Sequence, residues 1–172
     1  MKKYLVIPAL LLIASLFSFK LAENWQKYTS QEGHFSISFP GKPEETMEDS
    51  KNDSGIPFKI HFVTYAPSDD ELYMAGWIDM TTFYPKDGDM KQLLENSRDG
   101  AVKSMNATNV TTLETHLEGN PYIEFTFSAE NIIGKDRIYF INKFQYSIIT
   151  MFPIKKGMSP NADKFITSFK AM

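Results

Sequence analysis

Three histidines, His34, His61 and His116, are the residues of this chain best suited to proton transfer or metal ligation near neutral pH. None has a second His, a Cys or a paired acid at the spacing that zinc sites use. His34 and His61 each fall on the polar side of an alternating segment and are expected at the surface. His116 stands two residues from Glu114 and from Glu118, a spacing too common on strands to mark a site. The carboxylates cluster twice. Asp69, Asp70 and Glu71 are consecutive, and Asp87-Gly88-Asp89 carries the spacing of the first two ligands of a calcium loop. The rest of that loop is missing: Gln92 follows where a glycine turn belongs, and Arg98 stands at the twelfth position in place of a glutamate. Helix capping by Asp87 or Asp89 is therefore the expected role. No Gly-x-Ser-x-Gly elbow is present. Pro40-Gly41-Lys42-Pro43 holds a Gly-Lys pair, but its prolines remove the backbone donors a phosphate loop needs. The sequence thus predicts no catalytic set, no cofactor-binding set and no metal site.

The elements that would position these groups show in the hydrophobic period. In residues 34–39, Phe35, Ile37 and Phe39 share one face against His34, Ser36 and Ser38; Phe58, Ile60 and Phe62 repeat the pattern against Lys59 and His61. Both read as one-sided strands. Residues 72–82 carry apolar side chains on both faces, so Trp77 is expected in the interior. Further strands are predicted over 110–117, 122–129, 137–142 and 144–152, the last with apolar residues on both sides and so central. Glu118 to Pro121 and Ile133-Gly134 are predicted turns, Asn142-Lys143 a tight hairpin link, and residues 41–55, with five acids and two lysines, a surface loop.

Two segments have helical period instead. Met90, Leu93, Leu94, Ser97, Ala101 and Met105 line one face opposite Lys91, Glu95, Arg98 and Lys103, with Gly100 weakening the helix from inside. Near the C-terminus, Ser159 is the expected N-cap, Pro160 the first helical residue, and Ala162, Phe165, Ile166 and Phe169 the buried stripe. Hairpin-like succession with two helices predicts an α+β domain built on a mostly antiparallel central sheet of about six to eight strands.

Composition sets the frame. The chain has 172 residues, 42% of them apolar, no Cys, and 18 basic against 21 acidic residues. That excludes a disulfide scaffold, a zinc-finger cluster and a disordered tail. Lys2 and Lys3 precede sixteen uncharged residues from Tyr4 to Phe19, the pattern of an export signal, with cleavage expected after Ala22 and an uncleaved anchor as the alternative. Residues 23–172 are then one domain. Loss of Lys2, Lys3 and Lys20 leaves 15 basic and 21 acidic residues, a net charge of −6, and no Lys/Arg run with interleaved aromatics, so nucleic acid is not an expected partner.

Trp25-Gln26-Lys27-Tyr28-Thr29-Ser30, followed by residues 33–43 (GHFSISFPGKP), resembles the opening of PsbP-like domains of exported bacterial proteins. Residues 93–101 (LLENSRDGA) and 162–169 (ADKFITSF) are similar to the same group. The resemblance implies a central antiparallel sheet with helices packed on both faces, a PsbP-like sandwich, and members that act by docking without a shared catalytic motif. The expected function is an exported, periplasmic or secreted, non-enzymatic binding module. Its partner would be an envelope protein or small ligand, and membrane contact would run only through an uncleaved N-terminal segment. A lipid or small-molecule carrier with a helix–sheet pocket is the alternative, and an enzyme using scattered acids and histidines comes after it.

Overall fold

The computed structural model describes residues 24–52, 54–84 and 89–172. The expected export signal, Asp87 and Gly88 lie outside the described residues. Among the described residues ten strands, β1 (Gln26–Ser30), β2 (Phe35–Phe39), β3 (Glu44–Lys51), β4 (Pro57–Ser68), β5 (Glu71–Asp79), β6 (Thr108–His116), β7 (Tyr122–Ala129), β8 (Ile132–Ile141), β9 (Phe144–Pro153) and β10 (Lys170–Ala171), form two sheets. The larger is antiparallel throughout, in the order β3-β4-β5-β9-β8-β7-β6; the smaller has the order β1-β2-β10. β9 is the middle strand of the large sheet, as its two apolar faces predict. The β8–β9 link is the two-residue turn Asn142-Lys143, with φ of 51° and 67° matching the twist of its strands.

Helix α1 (Met90–Ser104) lies over β6, β7 and β8, and α2 (Asn161–Thr167) lies against β2, β8 and β9. The expectation of helices on both faces is corrected. One face carries the 15-residue α1, but the other is closed by the small sheet, with the seven-residue α2 beside it. The reason lies in β1 and β2: Phe35, Ile37 and Phe39 point inward from a hairpin that pairs with nothing in the large sheet and so stacks on it as a second layer. Two cores result. Phe35, Phe39, Tyr73, Trp77, Tyr146 and Phe165 pack under the small sheet, while Leu94, Ile123, Phe125, Phe127, Phe140 and Ile149 pack under α1.

Three other expectations are corrected. Residues 44–51, expected in a loop, form β3, an edge strand whose only obligation is backbone pairing with β4; it therefore needs no apolar alternation. An Asx turn closes that hairpin, Asn52 Oδ1 accepting from the amides of Ser54 (3.1 Å) and Ile56 (2.9 Å). Ile133-Gly134, expected as a turn, lies inside β8, and the turn is Glu130-Asn131. Gly134 faces Phe127 across the strands, where a Cβ would run into the Phe127 ring, so the glycine serves close packing. β4 is not one-sided, because His61, Val63 and Tyr65 pair with Trp77, Ala75 and Tyr73 under the small sheet.

Candidate functional site

At one end of the face under the small sheet, β4, β5, β9 and the turn over residues 31–34 surround an open cleft of about 310 Å³. Its wall is built by register. His61 is the cross-strand partner of Trp77, and their rings stack 3.7 Å apart with planes 9° from parallel. Phe144 follows from β9, 6.0 Å from Trp77 between ring centroids. Trp77 is 5% exposed, as expected, and Tyr146 beneath it donates from its hydroxyl to the carbonyl of Gly33 (2.9 Å), holding the turn down. Burial pushes the Tyr146 phenol up to about 12.

The turn brings Glu32 to the rim, its carboxylate 3.9 Å from His61 Nε2. Asp79 at the end of β5 also lines the cleft. Its carboxylate accepts from the Thr81 amide (2.8 Å), and hydrogen bonding to the Thr81 hydroxyl and amide, with the nearby His34 and Lys143, holds it below the usual carboxylate range. Lys59, also in the lining, is drawn outward to Asp49 on β3 (3.0 Å). The structure therefore brings His61 and Trp77 together and sets His34 close by, its ring 5.4 Å from Phe144. The surface placement expected for His61 is corrected: its side chain is 17% exposed, because pairing with β5 lays it on Trp77. His34 is exposed as expected, although it stands outside β2 with φ of 52°.

The other candidates are dispersed. His116 ends β6, stacked on Tyr122 at 5.3 Å. Asp69 and Asp70 sit at the tip of the β4–β5 hairpin beside a second hollow of about 460 Å³, and Glu71 accepts from Lys156 (2.8 Å). Asp89 is the N-cap of α1, accepting from the Lys91 amide (2.9 Å). No group of three or more His, Cys, Asp or Glu suited to a metal ion occurs among the described residues.

Two polar features escaped the sequence reading. Glu124, 7% exposed, accepts from Arg137 Nε (2.6 Å) across β7–β8, lies 3.5 Å from Lys135 Nζ, and Lys135 reaches Asp163 (2.7 Å). The signal was available: Glu124 and the pair Lys135 and Arg137 sit at alternating positions of neighbouring strands. Asp136 is 1% exposed beneath α1, accepting from the Ser147 hydroxyl (3.0 Å), and burial pushes its pKa up to about 7.

The edges of the large sheet also differ. β3 carries Glu44, Glu45, Glu48 and Asp49. β6 has register irregularities between Thr108 and Thr111 and between Thr112 and Glu114, and these stretches contain Val110 and Leu113. Both side chains are turned out, 37% and 50% exposed, and Leu117 follows at 48%. A bulge re-aims the residue it adds.

Among solved structures, the chain matches the solution structure of cyanobacterial PsbP (CyanoP) from Synechocystis sp. PCC 6803. The TM-score is 0.54, with 87% of this chain and 94% of that chain covered, at 10% sequence identity. The fold is PsbP-like. At that identity the likeness carries the fold alone. No protein-family model and no curated protein sequence matches the chain. No helix among the described residues is long and apolar enough to cross a membrane.

Proposed function

We propose that this protein is an exported, non-enzymatic binding module that docks onto an envelope protein through the β6 edge of its large sheet. The observation that carries the reading is the row of outward apolar side chains there, Val110 and Leu113 on a strand whose only acid is Glu114, with Leu117 just past its end. An apolar surface rimmed by polar groups is the usual mark of a protein contact. The opposite edge, with its four carboxylates, is built against strand addition. Export rests on the charged start and apolar run of the first 22 residues.

The carrier reading has less support, because the apolar hollow on the α1 side of the sheet, between Phe62, Met74 and Ile78, measures about 80 Å³, against the ~300 Å³ or more that small-molecule ligands fill. The enzymatic reading has less as well. In the His61 cleft Asp79 is engaged by Thr81 and shifted away from the proton affinity a general acid or base needs near neutral pH.

Site-specific photo-crosslinking in the producing cell tests the docking surface. With benzoylphenylalanine in place of Leu113, one envelope protein should be captured, and the adduct should disappear when Val110→Asp and Leu117→Asp are added. The same probe in place of Met47, 53% exposed on β3, should capture nothing. Equal capture from both edges, or none from Leu113, overturns the reading.

A further inference from the structure

We propose that the cleft between residues 31–34 and the β4–β5–β9 rim is a second binding site, and that it takes an organic cation, an ammonium or guanidinium group on a short apolar stem. This site is independent of the β6 edge.

Three features converge on that chemistry. The first is the placement of charge. Glu32 on the turn and Asp79 at the end of β5 supply carboxylates from different segments of one opening. Of the basic groups beside them, Lys59 is bound to Asp49 at 3.0 Å, His61 stands 3.9 Å from Glu32, too far for a hydrogen bond, and His34 and Lys143 act on Asp79 through their charge. Asp79 stays ionised across the neutral range, since the Thr81 hydroxyl and amide and nearby positive groups hold its carboxyl below its ordinary value. The second is the wall. The imidazole of His61 lies flat on the buried Trp77, and with Phe144 and Phe58 it gives the cleft an apolar side that suits an alkyl stem. The third is size and rigidity. A volume of about 310 Å³ lies at the lower end of the range small ligands fill. The cleft is also preformed, because the Tyr146–Gly33 bond fixes the turn and Trp77 is buried against it.

An anion meets two carboxylates here, and a neutral aromatic ring makes no use of them. A guanidinium in the cleft has Glu32 and Asp79 in the lining to pair with and Phe144 for its stem.

Trp25→Phe leaves Trp77 as the sole tryptophan, so its fluorescence reports on the cleft. Blocked arginine (acetyl-arginine-methylamide) is titrated into this variant beside blocked citrulline, which has the same shape without the charge. Putrescine in a third arm separates a free diamine from a side chain presented on a peptide. The expected result is a saturable change with arginine or putrescine and none with citrulline. Raising salt from about 0.02 to about 0.5 M should weaken it. Glu32→Gln with Asp79→Asn, both exposed positions whose replacements keep their shape, should raise the Kd by about tenfold or more, or about 1.4 kcal/mol. Circular dichroism melts confirm that this variant is folded. Citrulline binding as well as arginine, no saturable response to either cation, or an unchanged Kd in the folded double variant overturns the proposal. The crosslinks from Leu113 are expected to be unaffected in every case.

Discussion

On one face of the seven-stranded sheet Tyr73, Trp77 and Tyr146 meet rings sent down from a second sheet, whereas on the other Phe125, Phe127 and Ile149 meet a single helix whose buried residue is Leu94. The first face is sealed by partners remote in sequence: Phe35 lies 5.8 Å from Tyr146 and 5.6 Å from Phe169, and Tyr73 lies 5.4 Å from Phe165, all as ring centroids. The second holds a buried acid, Asp136. A rigid aromatic layer can frame a cleft at its margin, because each ring is held by others. A face closed by one amphipathic helix depends on the helix staying formed and tolerates an ionisable group beneath it at a cost.

The largest effect expected on this comparison is at Trp77. Trp77→Ala should cost about 3 to 5 kcal/mol, since a buried indole leaves both a cavity and an unsupported His61 ring. Urea melts measure it, and a loss below ~1 kcal/mol would mean that the aromatic face is not sealed from this position.

Asp136 tests the other face through pH. Its folded pKa, about 7, lies above the ordinary carboxyl value of 3.8, so between those limits the folded chain binds more protons than the unfolded one. Stability should therefore fall as pH rises from about 4 to about 7 and level off above that, the reverse of a salt-bridged carboxylate. Asp136→Asn keeps a partner for the Ser147 hydroxyl and removes the charge. It should flatten that slope and stabilise the protein at pH 8, by at most about 4 kcal/mol. Denaturant midpoints of both proteins at pH 5 and pH 8 decide it; parallel curves would show that the folded state does not raise the Asp136 pKa.

How far the sequence foretold each face follows from where its partners lie. α1 and its cap, the central strand β9 and the Asn142-Lys143 turn are encoded within a dozen residues, and the pattern alone located them. β3 did not show, because an edge strand with two exposed faces has no period to read. The helical layer expected opposite α1 proved to be a sheet, since nothing in β1 and β2 says which surface Phe35 and Phe39 will meet. The cleft was half legible. Trp77 was placed inside from its own strand, but His61 was assigned to the surface because only the β4–β5 register puts it on the indole. Asp136 carried a faint signal, an acid on the alternate face of β8 that Ile138 and Phe140 make apolar.

At the start of α1, Asp89→Ala should cost about 0.5 to 2 kcal/mol, the amide of Lys91 losing its acceptor at the positive end of the helix. The loss should be the same with millimolar calcium or with chelator. A calcium-dependent rise in melting temperature that Asp89→Ala abolishes would reassign the residue from capping to metal binding.

The smallest effect probes the helix itself. Gly100 lies inside α1, exposed, and a Cβ added there would have no atom within 4 Å. An interior glycine costs a helix about 0.5 to 1 kcal/mol relative to alanine, because the unfolded chain has more conformations to lose. Nothing in the packing requires the glycine, since its φ is not in the left-handed region. Gly100→Ala should therefore stabilise the protein by up to about 1 kcal/mol and raise Tm by about 2 to 4 °C. If α1 is the weaker closure, the same substitution should slow amide exchange more for the helix and for β7 beneath it than for β2 and β5. Uniform slowing would mean that the two faces open only together, as one cooperative unit.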